Sequence, residues 1–169
     1  MAYGALTVLF VLLSDRLGLG AAGYGYLIAA VGVGAVLSAG VADRAARLGR
    51  PRLPLAAAVL VIGAPLPIAI AGWLPGALLV AAATGAGSLV SEVVADTALQ
   101  RALDPDVFAR AYGLVLPAAL AGIVAGALLA PPCVALVGLD GTLVVIAAVC
   151  TAFAAMVARP RPEPLPVGA

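Results

Sequence analysis

Residues 89–113, LVSEVVADTALQRALDPDVFARAYG, bring carboxylates into an otherwise apolar stretch of the chain. Glu92 and Asp96 lie four residues apart, a spacing that places both on one face of a helix. The Asp104-Pro105 pair then ends this helix and begins another, because aspartate is a good N-cap and proline is tolerated at the first helical position. An apolar run, two acids, a polar break and a second apolar run are typical of a membrane span with a functional polar end.

The composition predicts an all-α integral membrane protein. Of the 169 residues, 64% are apolar and 10% are charged, whereas soluble domains are about 45–50% apolar and about 25% charged. A soluble chain of this size cannot bury so much apolar surface, which weighs against the alternative of a very apolar soluble core. The predicted partner of the helices is therefore the lipid bilayer, and the predicted location is the cell (inner or plasma) membrane.

Six stretches are apolar enough to be membrane spans, which need about 17–25 residues each. They cover residues 2–13, 24–42, 53–73, 75–97, 105–130 and 142–157, and the first is short. Pro65 and Pro67 are predicted to kink the third span, and Pro131-Pro132 to end or bend the fifth. Residues 1–158 form one membrane domain in this interpretation. Residues 159–169 form a Pro-rich, disordered cytoplasmic tail.

The arginines predict the orientation of these spans. All nine basic residues are arginines, and with six spans eight of them fall on one side: Arg44, Arg47, Arg50, Arg52, Arg101, Arg110, Arg159 and Arg161. Only Arg16 falls on the other side. The positive-inside rule makes the arginine-rich side cytoplasmic, which puts both chain ends in the cytoplasm. Asp15, Arg16 and Asp140 are predicted to be solvated loop charges.

Several functional classes are disfavoured. The net charge of +1 gives no reason to expect a nucleic-acid partner. The chain has no histidine and no acids at metal-ligand spacing, which argues against an enzyme, a metal site or a cofactor. Cys133 and Cys150 lie at different depths of the predicted membrane domain, so they are expected to be free, buried thiols. No phosphate-binding loop motif is present.

Three segments resemble transporters of the major facilitator superfamily. Gly40-Val-Ala-Asp43-Arg44, followed by Arg47-Leu-Gly49-Arg50, is similar to the G-x-x-x-D-R-x-G-R-R loop of that family, although its spacing departs from the motif. The start of the chain, YGALTVLFV and then LGLGAAGYGYLIAAVGVGA, looks like the seventh and eighth helices of its bacterial drug- and siderophore-exporter-like members. The segment from Glu92 to Tyr112-Gly113 resembles their tenth and eleventh helices, through these residues: Glu92, Thr97, Gln100, Arg101, Asp104, Arg110, Tyr112 and Gly113.

The resemblance implies the C-terminal six-helix half of a twelve-helix secondary transporter. The chain is then expected to be a fragment whose partner is an N-terminal half or a second copy, and whose activity is the efflux of an unidentified small molecule. Glu92 and Asp96 are the candidates for substrate binding or proton coupling. The resemblance also implies a cytoplasmic gating loop with Asp43, Arg44, Arg47 and Arg50, beside a charge cluster of Gln100, Arg101 and Arg110.

Simpler interpretations exist for each group of charges. Glu92 lies close to the cytoplasmic end of its span, where it could instead pair with Arg101, Arg110 or the basic loop, and Asp96 is shallower still. The arginines of the loop could serve topology alone. The whole chain could be a membrane scaffold without transport activity, or an inert remnant. The substrate, the coupling ion and the direction of transport are not readable from the residues.

Overall fold

A computed structural model describes residues 2–159, and every regular element in that range is a helix. The five α-helices are α1 (Ala2–Arg16), α2 (Gly20–Arg47), α3 (Arg52–Gly63), α4 (Leu74–Ala102) and α5 (Pro105–Ala158). A 3₁₀ helix, Leu66–Ala71, continues α3. The prediction of an all-α protein is confirmed, and the helices are apolar enough to cross a membrane. Beyond Arg159, the predicted disordered tail lies outside the described residues.

The predicted number of six spans is not reproduced. Within residues 2–159, four helical stretches are long and apolar enough to cross a membrane: Gly20–Arg47, Arg52–Ala71, Leu74–Ala102 and Val107–Ala158. Helix α1 has 15 residues, or about 22 Å, which is shorter than the ~30 Å hydrocarbon core. The fifth and sixth predicted spans, residues 105–130 and 142–157, belong to the single element α5.

A glycine, and not the proline pair, interrupts α5. Pro117, Pro131 and Pro132 lie inside the helix, whereas Gly138 has φ 75° and ψ 172°, a conformation outside the helical region. Only glycine reaches this positive φ without a steric penalty, so the chain changes direction there. The segment before the break packs on α1, where Gly4 lies against Ile123, and the segment after it packs on α3.

Pro65 and Pro67 have the predicted effect on the third apolar stretch. Helix α3 ends at Gly63, and the chain continues as the 3₁₀ helix that holds Pro67. Proline has no N–H to donate and clashes with the preceding turn, so a regular α-helix cannot continue through this pair unchanged. The left-handed Gly72 (φ 66°) ends the 3₁₀ helix before Trp73, which is exposed.

Helices α2 and α4 form the most extensive contact between the described helices. A Cβ at Gly34 would overlap the carbonyl oxygen of Ala82, and a Cβ at Gly85 would overlap the carbonyl oxygen of Val31. Each helix therefore presents a glycine to the backbone of the other, which is how small residues allow membrane helices to approach. Ser38 Oγ strengthens the contact by donating to Ala35 O at 2.9 Å and to Ala86 O at 3.4 Å.

Two apolar clusters fill the interior. The larger one joins α1, the 3₁₀ helix, the start of α4 and the second part of α5, through buried residues such as Leu6, Leu13, Leu66, Val80 and Leu143. The smaller one joins the ends of α2 and α4 to α3, through Ala42, Ala58, Val90 and Val94. The outer surface is also apolar, with Val36, Leu37, Leu114 and Leu136 each at least 75% exposed. This is the surface expected of helices that face lipid.

Candidate functional site

Glu92 lies on a face of α4 that changes from buried to open along its length. Ala81 belongs to the core cluster and is fully buried. Glu92 follows it by eleven residues, about three helical turns, so both lie on the same face. Glu92 itself is exposed, as is Ala95 one turn further. The face that α4 buries near its start is thus open where the carboxylate appears.

Other polar side chains lie close to Glu92 on α4. Asp96 lies on the same face and is half-buried. Thr97 Oγ1 donates to Val93 O at 2.7 Å, so the helix itself uses this hydroxyl. Ser91 Oγ is buried and has no hydrogen-bond partner among the described residues. The site is therefore a carboxylate pair, and the unsatisfied hydroxyl of Ser91 lies on an adjacent, buried face of the same helix.

Glu92 has no ion-pair partner in the described part of the chain. The ion pairs found between residues 2 and 159 are Arg16–Asp140 and Asp43–Arg47. Arg101 and Arg110, which the sequence offered as partners of Glu92, are exposed and lie farther than 4 Å from its carboxylate oxygens. The geometry thus leaves the carboxylate open to solvent or to a ligand.

Arg101 links the ends of α4 and α2. Its guanidinium Nη1 donates to Ala46 O at 2.7 Å. Ala46 lies in the last turn of α2, where carbonyl oxygens have no partner within the helix, and a cation there also interacts favourably with the helix dipole. A small cavity of about 160 Å³ lies beside this contact, lined by Ala46, Gly49, Pro51, Val94, Ala98, Arg101 and Ala102. Arg101 therefore has a structural partner on a neighbouring helix.

The candidate gating loop is open to solvent. Arg47 Nε donates to both carboxylate oxygens of Asp43 at 3.1 Å. This pair lies within one helix, and its side chains are 75% and 62% exposed, a setting in which an ion pair contributes only about 0.3–0.5 kcal/mol. Arg44 and Arg50 are exposed and form no ion pair with another described residue. Their charge remains available to a partner outside the helices seen here.

The charge cluster that the sequence suggested is not joined by hydrogen bonds or ion pairs among the described residues. Gln100 and Arg110 are exposed on α4 and α5. Arg101 contacts α2, and no hydrogen bond or ion pair joins it to Gln100 or Arg110 in the described range. Helices α4 and α5 touch little although they follow each other in the chain. The turn at Leu103 and Asp104 is extended, which separates the two helices.

Arg16 and Asp140, which the sequence predicts to be solvated loop charges, are partly exposed but form an ion pair with each other. Arg16 Nη1 donates to Asp140 Oδ1, and Arg16 Nη2 donates to Ile70 O at 3.1 Å. One guanidinium thus ties the end of α1 to α5 and to the 3₁₀ helix. The predicted topology placed the three segments on the same side of the membrane. The opposite charges of Arg16 and Asp140 were therefore a usable signal for this pairing.

No family model matches the chain, and neither a curated protein nor a solved structure does.

Proposed function

We propose that the chain is one half of a secondary transporter of the major facilitator type, which moves small amphipathic molecules out of the cell. The observation that carries the proposal is Glu92, a carboxylate exposed on an apolar helix without an ion-pair partner among residues 2–159. Charged groups at membrane depth are costly and are usually retained for transport or proton relay. Glu92 takes up and releases the coupling proton in this mechanism, and Asp96 is an auxiliary acid.

The packing of the helices supports the proposal that this chain forms only one wall of a transport path. The α5 segment from Leu114 to Leu128 has large exposed apolar residues on several sides, including Leu114, Val115 and Leu116. This segment contacts α1 where Ile123 lies against Gly4, while α4 scarcely touches α5. One half of such a transporter supplies one wall of the path. The second wall comes from an N-terminal half or from a second copy of this chain.

The orientation that we propose places the arginine-rich end in the cytoplasm. This end comprises Arg44, Arg47, Arg50 and Arg52, together with Arg101, which reaches the end of α2. Arg16 lies at the opposite end, beside Asp140. Arginines are retained on the cytoplasmic side of membrane helices. Both chain ends are then cytoplasmic.

Cysteine labelling tests this orientation. In a background with Cys133→Ser and Cys150→Ala, we expect Arg50→Cys in intact cells to resist a membrane-impermeant maleimide, and Asp15→Cys to react with it. Both positions are exposed in the structure, so protection of a cysteine from the maleimide reports that the membrane shields it, and not that the fold buries it. Permeabilised cells, in which both positions should react, provide the control. Reaction of both variants, or of Arg50→Cys alone, in intact cells would exclude the orientation.

Flux measurements test the transport function. We expect proteoliposomes with the purified chain alone to show no dye flux driven by a proton gradient, because one wall does not enclose a path. The complex isolated from native membranes through a tag on this chain should show saturable flux. Absence of flux from that complex, with the chain folded, would favour the alternative of a non-transporting scaffold or remnant. Flux by the chain alone would show that copies of it complete the path.

A further inference from the structure

A second candidate binding site, whose lining does not include Glu92, lies on the outer surface. Helices α2, α3 and α4 enclose an apolar groove of about 530 Å³. Its walls include Val41 from α2, Leu48 directly after this helix, and Leu53 and Ala57 from α3. Val90 of α4 contributes to its floor. Leu48 and Leu53 are 68% and 63% exposed. Ser38, the one hydroxyl residue of the lining, already donates to Ala35 O and Ala86 O.

The length of the groove matches one leaflet of a bilayer. It extends from Ser38 in α2 to Leu48, the residue that caps this helix, which is about 15 Å at the helical rise of 1.5 Å per residue. The hydrocarbon core of a bilayer is about 30 Å thick. A groove that starts at the arginine-rich end therefore reaches the middle of the membrane, the depth that a single acyl chain occupies.

Positive charge surrounds the end of the groove at which Leu48 and Leu53 lie. Leu48 and Leu53 bracket the turn that carries Arg50, and Arg52 begins α3 next to Leu53. Residues 43–52 hold four arginines and one aspartate, a net charge of 4 − 1 = +3. Asp43 is engaged by Arg47. Arg50 and Arg52 are exposed and form no ion pair within residues 2–159.

We propose that the groove binds one acyl chain of an anionic membrane phospholipid, whose phosphate is held by Arg50 and Arg52. Arginine matches phosphate through its planar fork of N–H donors, and basic clusters next to membrane helices attract anionic lipids. A second copy of the chain is disfavoured as the occupant of the groove, because its own positive loop would lie against this one and the two would repel each other. This inference requires the membrane-embedded helices but not the transport activity.

Native mass spectrometry of the detergent-purified full chain tests the proposal with two lipids that have the same acyl chains. We expect phosphatidylglycerol to bind with one-to-one stoichiometry and at least tenfold more tightly than phosphatidylcholine. The double variant Arg50→Gln, Arg52→Gln should reduce this preference to below twofold. Arg159→Gln, an exposed arginine outside the loop, is the matched control and should retain the preference. Equal binding of both lipids by the unmodified chain would overturn the proposal.

A second pair of variants tests the groove itself. Ala57→Phe places a ring in the groove and should weaken both lipids at least fivefold. Ala29→Phe adds the same ring on another exposed position, outside the lining of the groove, and should leave binding unchanged. Circular dichroism and gel filtration verify that the variants remain folded. Equal losses in both variants, or a lipid-free dimer that Ala57→Phe disrupts, would refute lipid occupancy of the groove.

Discussion

Replacing the buried Gly34 with leucine is expected to destabilise the chain strongly. Any Cβ at this position overlaps the carbonyl oxygen of Ala82, and backbone atoms of a helix cannot move aside as a flexible side chain can. Helices α2 and α4 must then separate, which breaks the contact between Ser38 and Ala86 as well. Overpacking of this kind costs about 1–3 kcal/mol or more. We expect the melting temperature in detergent to fall by roughly 5 °C or more.

Gly32 provides the matched control on the same helix. A Cβ at Gly32 meets no atom within 4 Å, so Gly32→Leu should leave the melting temperature unchanged or raise it slightly, because leucine favours helix over glycine. Gly85→Leu tests the reciprocal contact with Val31 and should resemble Gly34→Leu. Similar melting temperatures for the Gly34→Leu and Gly32→Leu variants would show that the glycine contact between α2 and α4 does not hold the fold together.

The helical content of the fold follows from the sequence, but the positions of its breaks follow only in part. Pro65 and Pro67 end α3 because proline removes a hydrogen-bond donor. Pro131 and Pro132 were expected to act likewise, yet α5 continues through them, as membrane helices can when neighbouring groups satisfy the freed carbonyls. Gly138 provides the break instead. It directly precedes Leu139-Asp140-Gly141, a sequence typical of a turn.

The contacts between helices could not be predicted from the sequence either. Small residues are so frequent in α2 that their spacing does not single out Gly34, and its partner Ala82 becomes apparent only when the two helices are seen to cross. The contact between Arg101 and Ala46 involves a backbone carbonyl, a group that every residue carries. Charges are rarer and hence more informative. Arg16 and Asp140 could have been paired from their shared side of the membrane alone.

The acids of α4 were identified from the sequence because carboxylates are rare in apolar helices. Four-residue spacing placed Glu92 and Asp96 on one face. The structure adds that Glu92 is the more exposed of the two and that neither Arg101 nor Arg110 is within ion-pairing distance. The role of Glu92 in proton coupling stays a prediction.

Replacing Glu92 with glutamine is the decisive test of that prediction. Glutamine keeps the size and hydrogen-bonding capacity of the side chain but removes its ability to bind and release a proton. We expect proton-driven dye flux by the native complex to fall at least tenfold. The melting temperature should stay the same, because substitutions at exposed positions without partners usually change stability by less than about 0.5 kcal/mol. Asp96→Asn, on the half-buried neighbour, should reduce flux less.

The combination of flux and stability separates coupling from structure at this residue. If Glu92 pairs with Arg110 in the assembled transporter, Glu92→Gln leaves a positive charge without its partner and lowers the melting temperature. Arg110→Gln should then restore part of the lost stability, since it removes that charge. A coupling acid gives the opposite pattern, with stability retained and flux lost whether or not Arg110 is present. Full flux at normal stability in Glu92→Gln would exclude both roles, and the open carboxylate face of α4 would have no part in transport.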